Sequence, residues 1–163
     1  MKVIGTLFCF PFIIWAVIRV ILYYSFSIHC GGHMELAGSA NSIELAKQEM
    51  GLVVKFAVDN QMTSGYTSVF FNTPDEDVGF WYSNMKSSLE ELEAINPDAS
   101  NLEKSNVLIK LRETVAHHSK DGTRITVPEG ISVFPNNVGF FWFGMVSSVI
   151  GVLGALMIAK KRD

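Results

Sequence analysis

The chain has 163 residues, a length sufficient for one modest domain together with membrane segments. Its formal net charge is −3 and its hydrophobic fraction is 48%. Its apolar residues are concentrated at the two ends. Residues 31–137 between them carry eight Lys/Arg against fifteen Asp/Glu, a formal charge of −7. This acidity argues against nucleic-acid binding, which needs a basic surface.

The first apolar segment, residues 3–26, is long enough to cross the ~30 Å hydrocarbon core of a bilayer. It exceeds the apolar part of a usual signal peptide, and no small-x-small cleavage pattern follows, so we predict an uncleaved transmembrane helix. Its single charge, Arg19, has two interpretations. The side chain either extends to the outer headgroups beside Tyr23 and Tyr24, or forms an ion pair with a carboxylate of the central domain or of a partner.

Two groups of side chains are weak metal-site candidates. His29, Cys30 and His33 fall in a stretch with two adjacent glycines, which we predict to be a turn after the first membrane helix. Glu113 and His117 lie four residues apart on a predicted helix. Neither group supplies four ligands, so we predict no metal site, no cofactor and no catalytic residue.

The central segment, residues 27–138, is predicted to form a mainly helical (α+β) domain outside the cytoplasm. Apolar residues at steps of three and four predict helices over about 41–61, 73–95 and 100–118. Thr73, followed by a proline and then by Glu76, is the expected N-cap of the second helix.

A small β-hairpin or sheet is predicted beside these helices. β-branched residues flank Pro128-Glu129-Gly130 and predict two strands within 123–134, and residues 66–71 have the composition of a third.

The second apolar segment, residues 139–159, contains no charge and is followed by Lys160, Lys161 and Arg162. The positive-inside rule therefore predicts that residues 1–2 and 160–163 are cytoplasmic. The fold class is thus a membrane protein with two transmembrane α-helices flanking an extracytoplasmic domain. Small residues follow one face of the second membrane helix, a pattern that permits close helix packing. They are Gly144, Ser148, Gly151 and Ala155. This face either packs on the first membrane helix or docks another membrane protein or a second copy.

Three functional hypotheses follow. The favoured one is a non-catalytic, membrane-anchored interaction protein, an accessory subunit or regulator of a bacterial or phage-encoded membrane complex in the bacterial inner membrane. The alternative is a ligand-sensing module, since the layout resembles in architecture the input half of bacterial chemoreceptors; such a module needs a concave pocket with convergent polar groups. A metal-dependent enzyme is the least favoured, because the sequence contains none of the common catalytic motifs.

Overall fold

The computed structural model describes the backbone of residues 2–119 and 122–159 and the side chains of residues 3–116 and 125–159. Most of this chain is helical. The α-helices are α1 (Lys2–Phe26), α2 (Gly32–Ser39), α3 (Ile43–Asp59), α4 (Val78–Ala94), α5 (Asn101–Val115) and α6 (Asn137–Ala159). A π-helical turn (Ser27–Gly31), two 3-10 turns (Pro74–Glu76 and Ile131–Val133) and the short strands β1 (Ala116–Ser119) and β2 (Gly122–Ile125) complete the description.

Two helices, α1 and α6, are long and apolar enough to cross a membrane. They have 25 and 23 residues, which at a rise of ~1.5 Å per residue gives lengths of about 37 and 34 Å. The two helices run antiparallel and pack along their length, so that Gly5 near the start of α1 contacts Gly154 and Ile158 near the end of α6.

The predicted turn at residues 29–33 is wrong, because α1 continues into the central domain. The π-helical turn joins α1 to α2 without a break, and the residues flanking the junction, Phe26, Gly31 and Gly32, all have helical φ and ψ. One unbroken helical rod therefore runs from residue 2 to residue 39. Its second part is embedded in the domain, with Cys30 and Met34 fully buried.

The core of the central domain lies between α2, α3, α4 and α5. Apolar residues at three- and four-residue steps put one face of each helix into this core, as the periodicity predicts. The buried apolar side chains of these four helices are Met34 and Ala37 of α2, Ile43, Ala46, Met50, Val53 and Ala57 of α3, Val78, Trp81, Met85 and Leu92 of α4, and Leu111 and Val115 of α5. The three helices predicted from sequence are therefore present, joined by α2 as a fourth.

The start of α4 differs from the predicted capping box. The Thr73 side chain accepts no backbone N–H, and its hydroxyl instead donates to the Glu76 carboxylate at 2.5 Å. Residues 74–76 form a separate 3-10 turn, and the carboxylate of Asp77 caps α4 by accepting the N–H of Phe80 at 2.9 Å. In α5 the predicted cap is present, since Ser100 Oγ accepts the N–H of Glu103 at 3.2 Å.

The predicted hairpin at 123–134 and the predicted strand at 66–71 are both wrong. Within the described residues, Tyr66 makes only an isolated bridge to Asp77, and Ile131–Val133 is a 3-10 turn. Ile131 and Val133 are buried in this turn, so their apolar side chains are removed from solvent without forming a strand. The extended backbone seen is the four-residue antiparallel ladder of β1 and β2, which overlaps the predicted hairpin at 123–125 but pairs those residues with 116–118 and not with 131–134.

Candidate functional site

The contact between α1 and α6 is made where small residues of α6 let the two backbones approach closely. An added Cβ at Gly154 would lie 2.6 Å from the carbonyl oxygen of Gly5, and one at Gly144 would lie 2.7 Å from the indole of Trp15. The Trp15 ring is held over Gly144 because its Nε1 donates to the Phe140 carbonyl at 3.1 Å. In lipid, close packing of this kind is the main force that associates helices.

The four small residues expected to form the α6 interface do not all face α1. Gly144 is buried, Ser148 and Gly151 are half-buried, and Ala155 is exposed. Ser147 and Gly154 are buried instead, so the contact face is rotated toward them. The predicted and the observed small residues fit helical spacing equally well. Which of them contact α1 depends on the shape of that helix. The small-residue face is thus used within the chain.

The remaining faces of the helix pair are exposed and carry large aliphatic side chains. On α1 they include Leu7, Ile14, Val17 and Ile21, and on α6 Val146, Val149, Val152 and Leu156. Branched aliphatic surfaces are compatible with lipid and with another membrane helix alike.

Arg19 is partly buried near the junction between α1 and the central domain. Its guanidinium donates from Nη1 to Ser132 Oγ at 2.7 Å. No ion pair of Arg19 is present among the described residues. Of the two interpretations of Arg19, an ion pair with a carboxylate of this chain is not seen among the described residues, and the partner observed is the Ser132 hydroxyl. Ser132 gave no signal in the sequence, because its position opposite Arg19 depends on the 3-10 turn at 131–133.

Beside Arg19 lies an open cleft of about 620 Å³ between the end of α1 and residues 125–132. Its lining includes one cation, Arg19, and two carboxylates, Glu35 and Glu129, together with the phenol-bearing Tyr23. A second cleft of about 660 Å³ shares Glu35 and adds Arg112. The guanidinium of Arg112 donates from Nε to the Gly38 carbonyl at 2.8 Å, which fixes it at that end.

His29, Cys30 and His33 have separate surroundings in the helical segment that joins α1 to α2. The Nδ1–H of His29 donates to the Ser25 carbonyl at 2.9 Å, while Nδ1 of His33 lies 2.6 Å from Oε2 of Glu49. Cys30 is fully buried, and desolvation raises the pKa of its thiol from 9.0 to about 12. A thiol held neutral is a poor metal ligand and a poor nucleophile.

The other metal-site candidate also receives no support. Glu113 is exposed on α5, and the side chain of His117 lies outside the described residues. Within the part of the chain that is described, no group of three or more His, Cys, Asp or Glu side chains is arranged to hold a metal ion. The basic cluster Lys160, Lys161 and Arg162 also lies outside it.

No known protein family matches this chain, and no curated protein or solved structure shows significant similarity to it.

Proposed function

We propose that this chain is a non-catalytic interaction protein anchored in the bacterial inner membrane, with both termini in the cytoplasm and the central domain outside. Its role would be that of an accessory subunit or regulator of a membrane complex. The observation that carries the proposal is the unbroken helical rod over residues 2–39. Because the rod supplies Cys30 and Met34 to the domain core, the domain is held at a fixed height and rotation relative to α1.

A second attachment supports the same interpretation. At the other end of the domain, the Asn137 side chain donates from Nδ2 to the Gly130 carbonyl at 2.9 Å, just where α6 begins. Arg19 and Ser132 add a further bond between α1 and the 131–133 turn. A domain fastened to both membrane helices is suited to present a surface at a defined distance from the bilayer.

The partner-binding surface proposed for the central domain is on α5. Leu102 is 72% exposed and Ile109 is 51% exposed. Seven residues is close to two helical turns, so both side chains lie on one face. Exposed apolar residues that share a face are typical of contact sites between proteins.

The test is purification of the tagged chain in mild detergent, with quantitative mass spectrometry of what co-purifies. We expect one membrane protein in stoichiometric amount, retained by Glu103→Gln and lost from the double variant Leu102→Asp/Ile109→Asp. Glu103 is the matched control because it is exposed on the same helix. Recovery of the wild-type chain only as a monomer would contradict the proposal, and retention of the partner by the double variant would move the contact to the membrane helices.

The cleft beside Arg19 favours ligand sensing as a second candidate. One guanidinium and two carboxylates around a cavity of about 620 Å³ match the opposite charges of an amino-acid zwitterion. Calorimetric titration of the chain in lipid nanodiscs with each of the common amino acids tests this. Saturable heat that disappears in Glu129→Gln would support sensing, and the absence of heat from every amino acid would remove the zwitterion hypothesis.

A further inference from the structure

Residues 66–77 form a loop whose two ends are fastened together at the base of the central domain. The N–H of Thr67 donates to the Glu76 carbonyl at 3.0 Å, and the N–H of Val78 donates to the Gly65 carbonyl at 2.9 Å. These two bonds close the neck of the loop. Its tip is therefore held away from the domain core.

The tip of this loop carries two phenylalanines that the domain does not cover. Phe70 is 64% exposed and Phe71 is 80% exposed. A local turn fixes their direction, because Ser68 Oγ accepts the N–H of Phe71 at 3.1 Å. The Phe70 ring meets the ring of Phe141 edge to face, with centroids 5.3 Å apart and planes at 86°. The loop tip thus touches the first turns of α6.

The position of Phe141 on α6 sets the depth of the tip. A bilayer core of ~30 Å takes about 20 helical residues, and α6 has 23, beginning at Asn137. Phe141 therefore lies near the boundary between headgroups and hydrocarbon. It packs edge to face on Trp142 with centroids 5.5 Å apart, and aromatic residues are enriched at that boundary.

We propose that the loop tip, Phe70 with Phe71, inserts into the leaflet that adjoins the central domain and forms a third contact with the bilayer. The occupant of this apolar surface is lipid because the tip is continuous with the aromatic boundary of α6. Asp75, Glu76 and Asp77 lie at the base of the loop, so the surface favours zwitterionic over anionic headgroups. The inference rests on the membrane anchoring given under the proposed function.

The experiment places a nitroxide label on the full-length chain in phosphatidylcholine nanodiscs and measures its collision rates with oxygen and with a water-soluble nickel complex. The variants are Phe71→Cys, Leu102→Cys and Val149→Cys. The native Cys30 is fully buried, and labelling of the wild-type chain gives the background from both native cysteines. Leu102 is the matched control, because it is 72% exposed but far from the loop. It follows the end of α4, a helix about 25 Å long that begins where the loop ends. Val149 is 59% exposed on α6 and reports the lipid-facing surface.

We expect the oxygen-to-nickel collision ratio to be severalfold higher for the label at Phe71→Cys than at Leu102→Cys, and closer to the ratio at Val149→Cys. A ratio at Phe71→Cys equal to that at Leu102→Cys would overturn the inference. So would a label at Phe71→Cys that is shielded from both collision partners, since that would show protein covering the tip. A low ratio at Val149→Cys would instead refute the anchoring itself, which separates the two failures.

Discussion

Gly154 is the position where the packing of α1 against α6 has the least room, so Gly154→Ala is the sharpest test of the helix pair. The new Cβ would lie 2.6 Å from the Gly5 carbonyl oxygen and 2.8 Å from Phe8 Cβ. Ordinary contact begins at 3.4 Å, so the methyl group is 0.8 Å too close to the oxygen. Neither neighbouring atom is the end of a flexible side chain. The helices must therefore separate.

The cost of that separation follows from the loss of dispersion energy. A gap of roughly 0.5–1 Å removes about a quarter to a half of the attraction between the atoms involved. Overpacking of this kind costs about 1–3 kcal/mol. The higher helix propensity of Ala does not offset this, because the separated helices remain helical in an apolar solvent, where their backbone groups have no other partners.

The assay is a titration with sodium dodecyl sulfate of the protein in mild-detergent micelles, followed by energy transfer between dyes at the two chain ends. The start of α1 and the end of α6 lie on the same side of the helix pair, since Gly5 contacts Ile158. We expect Gly154→Ala to lower the free energy of helix separation by about 1–3 kcal/mol. Gly151→Ala, whose Cβ would meet Phe12 Cβ at an ordinary 3.4 Å, is the matched control and should stay near the wild type. Equal stability of the two variants would refute the reasoning.

Three further predictions concern the central domain. Cys30 should resist a polar thiol reagent until the protein unfolds, and rapid labelling of the native protein would contradict its burial. Folding raises the pKa of the Cys30 thiol from 9.0 to about 12, so the stability of the wild type relative to Cys30→Ala should fall as the pH rises through that range. Asp77→Ala should lower the free energy of unfolding by about 1 kcal/mol and Thr73→Ala by less, measured by urea denaturation, whereas the reverse order would make Thr73 the true cap. Gly38→Ala should lower the free energy of unfolding by about 1–3 kcal/mol, because its Cβ would lie 2.8 Å from Val115 Cγ2. In a double-mutant cycle, Val115→Ala should relieve part of this loss, whereas simple additivity of the two effects would argue against the contact.

The two long apolar helices α1 and α6, and the domain helices α3 to α5, were predictable because their signals are local. A long apolar run or a three-and-four periodicity depends only on neighbouring residues, and helix ends follow from caps such as Ser100. The predicted helix over 41–61 corresponds to α3 at Ile43–Asp59, which begins two residues later and ends two residues earlier.

The features that failed depend on contacts between distant parts of the chain. Two adjacent glycines predicted a break after α1, but Gly31 instead admits a close neighbour: an added Cβ there would lie 3.0 Å from Ile125 Cδ1. Ile131 and Val133 have strand composition, yet burial beneath the domain holds them in a 3-10 turn. That turn follows Gly130, whose φ of 76° favours glycine.

The candidate site was predictable only in part, for the same reason. The sequence indicated that small residues of α6 form a packing face, and Gly144 does so. The sequence could not indicate that Trp15 packs on that face or that Ala155 is exposed, since both facts depend on how α1 lies against α6. The exposed loop tip at Phe70 and Phe71 could not be predicted either, because the composition of residues 66–71 suits a strand as well as a loop.

The rod that joins α1 to α2 also constrains how the protein is made. Met34 and Ala37 belong to the same helical rod as α1, so in the proposed topology the domain cannot complete its core before α1 has been inserted. During synthesis, α6 emerges after α1 and must then pack against Trp15 and Gly5 of that helix. In the proposed topology, insertion and folding are therefore coupled, and a misplaced α1 would leave the domain core without Met34 and Ala37.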